Sequence, residues 1–325
     1  MVYDFVFFLK TYRKDYDRAV RLLKTYKEYN MDHIPLFLAC PEEDLEVFLD
    51  AKSYGVTLLN EHDICSEVFT EEMQWSAGYL NQEIYKLSFW EMGKARNYMC
   101  IDSDAVFLRP FYKKDFMYDD ATPYTILLED NDLRADLYYN RQYWNGRMAW
   151  IEKIEEAMDF HPYKLLTCHG FQIFSGKVLE SLKKEFMEPR GYQYKDLIGM
   201  APYEFTWYNL WLQKTECIPL HICEPLFKTF HLKQHHIFSV LQGMEITDWA
   251  RGYVGMVLNS NYNVGSGEYE DLSVYNVQNA DLSDTMIVRN YRFYRRMMRG
   301  RTKRRVKRIL AYVKGRLNQR NCSCI

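Results

Sequence analysis

No CxxC pair occurs among the eight cysteines (Cys40, Cys65, Cys100, Cys168, Cys217, Cys223, Cys322 and Cys324). Their scatter argues against both a zinc site and a disulfide framework. No apolar run approaches the roughly 18–20 residues of a membrane-spanning helix. Residues 1–9 have no basic n-region and no small-residue cleavage site, and they carry an acid at Asp4. They are therefore expected to form a first strand and not a secretory signal. No fixed-period repeat and no low-complexity tract is visible, and 48% hydrophobic with 16% aromatic residues excludes a disordered chain. With these absences the body is expected to fold in a reducing, cytoplasmic compartment.

Acids are also missing, but only from one end. From Arg289 onward the chain has 14 Lys and Arg and no Asp or Glu, so residues 1–288 hold 28 cations against all 44 acids, a balance of −16. An acidic body with a basic tail is not the footprint of a nucleic-acid binder, which spreads its cationic face over the folded domain. Within the tail, Val306, Ile309, Leu310, Val313 and Leu317 fall on one helical stripe, while Arg304, Arg305, Lys307, Arg308, Lys314 and Arg316 take other faces. A basic amphipathic helix of this kind is expected to lie on an anionic membrane surface. Each basic residue near the leaflet contributes roughly 1 kcal/mol. The rival partner, a polyanion such as RNA, would want interleaved aromatics for base stacking. Cys322 stands four residues from the end, but the residues after it are poorly aliphatic for a prenylation signal.

The 325 residues suffice for one large α/β domain with an appendage. Residues 2–9, 34–40 and 56–59 read as strands, and residues 16–29, 42–51 and 78–92 as helices, the last ending at Gly93 as a C-cap. Strand and helix alternating with short joints predict a mainly parallel sheet with right-handed crossovers. Residues 131–160 are Tyr- and Trp-rich and suit an insertion over a cleft. Further on, residues 168–174 and 218–222 read as strands, and residues 178–186 and 202–213 as helices.

One stretch concentrates the chemistry: Asn97-Tyr98-Met99-Cys100-Ile101-Asp102-Ser103-Asp104-Ala105-Val106-Phe107-Leu108. Read as a strand end, it points two carboxylates to one side by alternation, at the sheet edge where open α/β sheets bind ligands. Two carboxylates suit Mn²⁺ or Mg²⁺ shared with substrate phosphates. Gln82 and Lys86, one helical turn apart, are placed to face the same cleft.

Ile101-Asp102-Ser103-Asp104 with Val106-Phe107-Leu108-Arg109-Pro110, in this order of elements over residues 2–235, resembles the DxD-containing nucleotide-sugar-dependent glycosyltransferases of the GT-A fold. The resemblance implies a single Rossmann-like α/β domain with a mostly parallel central sheet and an aromatic-rich helical acceptor region, to which the residue pattern adds the basic amphipathic C-terminal helix. Residues 1–130 would bind the nucleotide-sugar, residues 131–288 the acceptor, and residues 289–325 the membrane. It implies a hexosyltransferase-type enzyme working with Mn²⁺ or Mg²⁺. The sugar would pass from a nucleotide-sugar, a UDP-sugar in the favoured case, to a glycan or lipid-linked saccharide at the cytoplasmic face of a membrane.

By the same resemblance Asp102 and Asp104 bind metal, Asp102 also touches the ribose, and His231 is the third ligand, with His235 and His236 as runners-up. Thr11 and Tyr12 wrap the nucleotide base, Gln82 and Lys86 approach the phosphates, and His169 contacts donor sugar or acceptor. Glu204, beside Tyr203, Phe205 and Trp207, resembles the acceptor-side acid, and burial there is expected to raise its pKa toward that of a general base. Glu129 and Asp130 compete for that role, and Trp144, Trp207 and Trp211 are candidates for sugar stacking. The chain departs from the best-known members in lacking a Glu-Asp pair at the base position, which leaves retention or inversion open. Two other readings stand beside it. Asp102-Ser103-Asp104-Ala105-Val106 also fits the haloacid-dehalogenase phosphotransferase motif with Asp102 as nucleophile, and a transferase-like scaffold would keep the fold without turnover.

Overall fold

The computed structural model describes residues 2–71, 75–131, 144–168, 170–230, 236, 239, 243–259, 302, 303, 305–307, 309 and 310. They fall into two compact units, one holding residues 1–231 and 247–270, the other residues 232–246 and 271–325.

The first unit is built on a five-stranded sheet of β1 (Tyr3–Lys10), β2 (Leu36–Cys40), β3 (Thr57–Asn60), β4 (Ala95–Ile101) and β7 (Ile173–Ser175). Its order is β3-β2-β1-β4-β7, with the first four strands parallel and β7 antiparallel to β4. The α/β fold with a mostly parallel central sheet is thus the one the alternation predicts. Both faces of the sheet are covered, and the period-2 pleat decides which residue goes where. Phe5, Phe7, Leu9, Met99 and Ile101 pack toward α1 (Tyr16–Tyr29), whose Ala19, Leu22, Leu23 and Tyr26 are buried. Val6, Phe8, Tyr98, Cys100 and Phe174 face the other way. There they meet α2 (Ala77–Ser88), α3 (Asn145–Met158), α4 (Gly176–Ser181), α5 (Tyr194–Met200) and α6 (Glu204–Thr215).

A smaller sheet joins β5 (Ala105–Phe107), β10 (Gly255–Leu258) and β9 (Phe227–Phe230) in the order β5-β10-β9. The short β6 (Thr125–Ile126) and β8 (Ile222–Cys223) pair in parallel.

Several local expectations change. Residues 42–51 are not an α-helix: 3₁₀ turns at Glu42–Asp44 and Leu49–Tyr54 carry the chain from β2 to β3. The strand expected over residues 168–174 begins only at Ile173 and runs to Ser175, and the one expected over residues 218–222 is displaced to Ile222–Cys223; the helix after Gly176 passes into a π-helical stretch, Leu182–Met187. Helix α2 gives way to a 3₁₀ turn (Phe89–Met92) that stops at Gly93, whose φ of 61° is the left-handed C-cap conformation. Trp144, Trp207 and Trp211 are buried side chains. Stacking on a sugar needs an open face, so this expectation is corrected for all three.

Candidate active site

Strand β1 has β2 on one side and β4 on the other, so the direction of strand addition reverses at β1, the position beyond whose carboxyl end open α/β sheets place their ligand crevice. Leu9 pairs with Ile101, which sets Lys10 and Thr11 beside Asp102 at that crevice.

Asp102-Ser103-Asp104 is not the extended strand end expected from alternation. It is a tight turn, closed by the Ala105 N–H donating to the Asp102 carbonyl at 3.0 Å, and it carries the chain from β4 in the large sheet to β5 in the small one. Asp and Ser are turn formers because their side chains compensate the local backbone. The Leu258 N–H, at the end of β10, donates to the Asp104 carbonyl at 3.2 Å. Asp104 is buried, whereas the Asp102 side chain keeps 40% of its surface in solvent.

Behind Asp102 lies a buried charge cluster. The Lys86 ammonium is 3.1 Å from Glu204 Oε1, 3.3 Å from Asp102 Oδ1 and 3.6 Å from Glu83 Oε2, and it sits 5.3 Å from the centre of the Phe205 ring. Gln82 turns its amide to Glu83 Oε1 at 3.1 Å. Burial alone would lower the Lys86 pKa, but Asp102, Glu204 and Glu83 outweigh it and hold the ammonium well above the ordinary lysine value. Burial, then the neighbouring Glu204 charge, push Glu83 well above the usual carboxylate range. Glu204 moves the other way. Burial opposes its charge, but Lys86 and hydrogen bonds from Glu83 and Lys86 hold it below the usual value.

That corrects the expectation for Glu204. A general base needs a reachable carboxylate with a pKa brought toward neutrality; Glu204 is 5% exposed and pinned to an ammonium. Its aromatic setting is as expected, but the partner the sequence did not reveal is Lys86, 118 residues away.

At the end of β1, Lys10 pairs with Glu61 at 2.7 Å and donates to the Thr11 carbonyl. Thr11 is buried, its N–H donates to Ala39, and its hydroxyl has no hydrogen-bond partner among the described residues. Tyr12 is exposed and makes no side-chain cap to the 3₁₀ turn that follows. Its ring is open for stacking. Ion pairs and hydrogen bonds thus join Gln82, Glu83, Lys86, Asp102 and Glu204 in one cluster, and the β1–β4 register sets Lys10, with its partner Glu61, and Thr11 next to the turn that carries Asp102 and Asp104. Glu83 had a signal, since it precedes Lys86 by one helical turn; Glu61 had none.

His169, His231 and His235 lie outside the described residues. The residues flanking two of them are in place: Phe230, before His231, pairs with Leu258, the residue bonded to Asp104. Gly170, after His169, takes φ of 100°, and a Cβ there would stand 2.6 Å from Thr229 Oγ1. His236 belongs to the second unit and is buried. Asp130 is buried with φ of 54°, and Glu129 pairs with Lys164 at 2.5 Å.

Among the described residues no group of three or more His, Cys, Asp or Glu forms a metal cage. The donor set of Asp102 and Asp104 fits a hard divalent ion of the kind held by one or two carboxylates together with substrate phosphates.

Solved structures with a similar course of chain include mouse xyloside xylosyltransferase 1 in its apo form, with 9% identity, 82% of this chain and 100% of that one covered, and a TM-score of 0.44. The galactosyltransferase LgtC with donor and acceptor sugar analogues gives 13% identity, 87% and 99% coverage and a TM-score of 0.45. The bifunctional glycosyltransferase WbbM in apo form gives 10%, 89%, 51% and 0.43. At such TM-scores the likeness decides nothing about activity. No curated protein sequence matches the chain. A family model does, over residues 5–237, which include the five-stranded sheet from Phe5 onward and the charge cluster: the chain belongs to DUF6492, a family of unknown function.

Proposed function

We propose that the chain is a metal-dependent glycosyltransferase of GT-A type. It would move a sugar from a nucleotide-sugar, a UDP-sugar in the favoured case, to a glycan or lipid-linked saccharide at a membrane surface. The observation that supports this most is the Asp102-Ser103-Asp104 turn at the crevice between β1 and β4, with Lys86 buried directly behind Asp102.

When a sugar leaves a nucleoside diphosphate, negative charge grows on the diphosphate and has to be met by fixed positive charge. Asp102 and Asp104 would hold the divalent ion that supplies it, with His231 proposed as the further ligand. Lys86 fixes the rotamer of Asp102 through their 3.3 Å contact, and it brings a second cation close to the phosphate end of the crevice. Glu204 and Glu83 keep that ammonium charged and in place. Thr11, with its unengaged buried hydroxyl, and Tyr12, with its exposed ring, would border the base, and His169 would border the sugar.

The membrane part rests on the second unit. Val306, Ile309 and Leu310 are exposed on helical turns that also carry Lys303, Arg305 and Lys307, all exposed. Among the described residues no helix is long and apolar enough to cross a membrane, and the proposed attachment is to the surface.

A panel of nucleotide-sugars with Mn²⁺, read by hydrolysis and thermal shift, tests the reading. We expect one donor to be hydrolysed and UDP with Mn²⁺ to stabilise the protein. In Asp102→Ala/Asp104→Ala both effects vanish, and in Asp102→Ala alone they vanish while the ligand-free melting point moves little, because that side chain keeps 40% of its surface in solvent. Release of phosphate from a monoester, lost in Asp102→Asn, would instead establish the phosphotransferase reading. Silence of wild type toward every donor would establish the scaffold.

A further inference from the structure

We propose that Glu83 is a positioning residue: a protonated carboxyl that hydrogen-bonds Glu204 and so fixes the Lys86 ammonium between Glu204 and Asp102. This rests on the donor-phosphate reading of the crevice.

The geometry sets the problem. Three carboxylates surround one ammonium, and two of them, Glu83 and Glu204, are more than nine-tenths buried along with Lys86 itself. Glu83 Oε2 is buried without a hydrogen-bond partner among the described residues, and two carboxylates that share one ammonium in a dry site do not both ionise, so one proton stays with the pair. Lys86 decides where. Its ammonium is closer to Glu204 than to Glu83, which places the negative charge on Glu204 and the proton on Glu83. Gln82 donates to Glu83 Oε1 and holds the carboxyl in orientation.

The groups that act on Glu83 come from each element packed around it. Lys86 and Tyr79 share its helix, Glu204 and Tyr203 come from the start of α6, Cys100 from β4, and Asp102 from the turn beyond Lys86.

With the proton in place, Lys86 and Glu204 neutralise each other and Asp102 presents its charge outward to a cation. Without it, one more negative charge lies behind Lys86. The ammonium is then drawn down between α2 and α6, and an anionic diphosphate is repelled.

Two measurements test this, one of them free of any ligand. Between the titration of Glu in the unfolded chain, about pH 4.3, and that of folded Glu83, folding takes up a proton. Stability therefore falls as pH rises through that window. Urea unfolding across pH should show a slope that is smaller by one proton in Glu83→Gln than in wild type. Equal slopes would overturn the protonation.

The second measurement is UDP affinity with Mn²⁺ across pH. Wild type should weaken as pH climbs through the Glu83 titration. Glu83→Gln, which keeps a donor toward Glu204, should hold its affinity within about threefold and lose that pH dependence. Glu83→Leu, which removes the donor, should weaken binding tenfold or more at every pH. If Glu83→Leu binds as well as Glu83→Gln, the positioning role is overturned. A wild type that never binds UDP overturns the donor reading, while the unfolding slope still reports on the Glu83 proton.

Discussion

Lys86 is the residue the site has least freedom to lose. It is the only cation within 4 Å of Glu83 and Glu204 among the described residues, so Lys86→Ala leaves buried carboxylates uncompensated. Removing one partner of a buried ion pair costs about 3–5 kcal/mol, and urea unfolding at neutral pH should show a loss in that range. Lys86→Arg should not restore the wild-type state, because a planar guanidinium replaces a compact ammonium in a closed site. His236 makes the opposite case. Burial pushes its imidazole down to about 4, against about 6.5 in an unfolded chain. Below pH 6.5 the unfolded chain takes up a proton that the folded one refuses, so this contribution is lost as pH falls from about 6.5 to 4. The loss reaches at most about 3 kcal/mol. His236→Leu should flatten that part of a pH-stability profile.

At the scale of elements, β10 has the narrowest tolerance. A Cβ at Gly255 would stand 2.2 Å from Phe227 Cε1 and 2.5 Å from the Val106 carbonyl, a backbone atom that has little room to yield. Gly255→Ala should cost about 1–3 kcal/mol as overpacking does, read as a drop in melting temperature, and should disturb the β5-β10-β9 sheet that holds the Asp104 end of the turn. What could be read from sequence tracks how local each element is. Helix α1 was legible to its ends because Ala19, Leu22, Leu23 and Tyr26 repeat on one face, and Gly93 marked the stop after α2. Residues 42–51 carry a helix-like composition, yet short 3₁₀ turns are enough to reach β3. Strand β10 is four residues whose partner β5 lies about 150 positions earlier, so no local period could announce it. The site divides in the same way. Gln82 and Lys86 were visible at helical spacing, and Asp102 and Asp104 as a carboxylate pair, although the pair reads as a strand end and folds as a turn. That Glu204 would reach Lys86, and find its pKa lowered where aromatic burial suggested a rise, depended on packing α6 against α2.

For the whole molecule, the separation of charge matters more than its sum. The −16 of residues 1–288 and the 14 unopposed cations beyond them divide the chain into an acidic body and a basic segment, and the proposed membrane attachment rests on that division. Vesicles with anionic headgroups should co-sediment the full-length protein, and neutral vesicles should not. Binding should weaken steadily as salt shortens the Debye length from about 10 Å at 0.1 M to about 3 Å at 1 M. Lys303→Glu, Arg305→Glu and Lys307→Glu together should abolish it while leaving UDP affinity unchanged. Binding to neutral and anionic vesicles alike would assign the attachment to the apolar stripe alone. The sheet, meanwhile, has as its innermost strand the one that precedes all its other strands in the sequence. Strand β1 pairs with β2 early, but its other edge waits for β4, with Tyr3 opposite Ala95. At 5–20 residues per second that is about 5–20 s of synthesis, during which the backbone edge of β1 that β4 will cover stays unpaired. A newborn chain is thus a sticky apolar ribbon before it is a protein. Its yield in a cell should depend on chaperones that hold β1 until β4 leaves the ribosome.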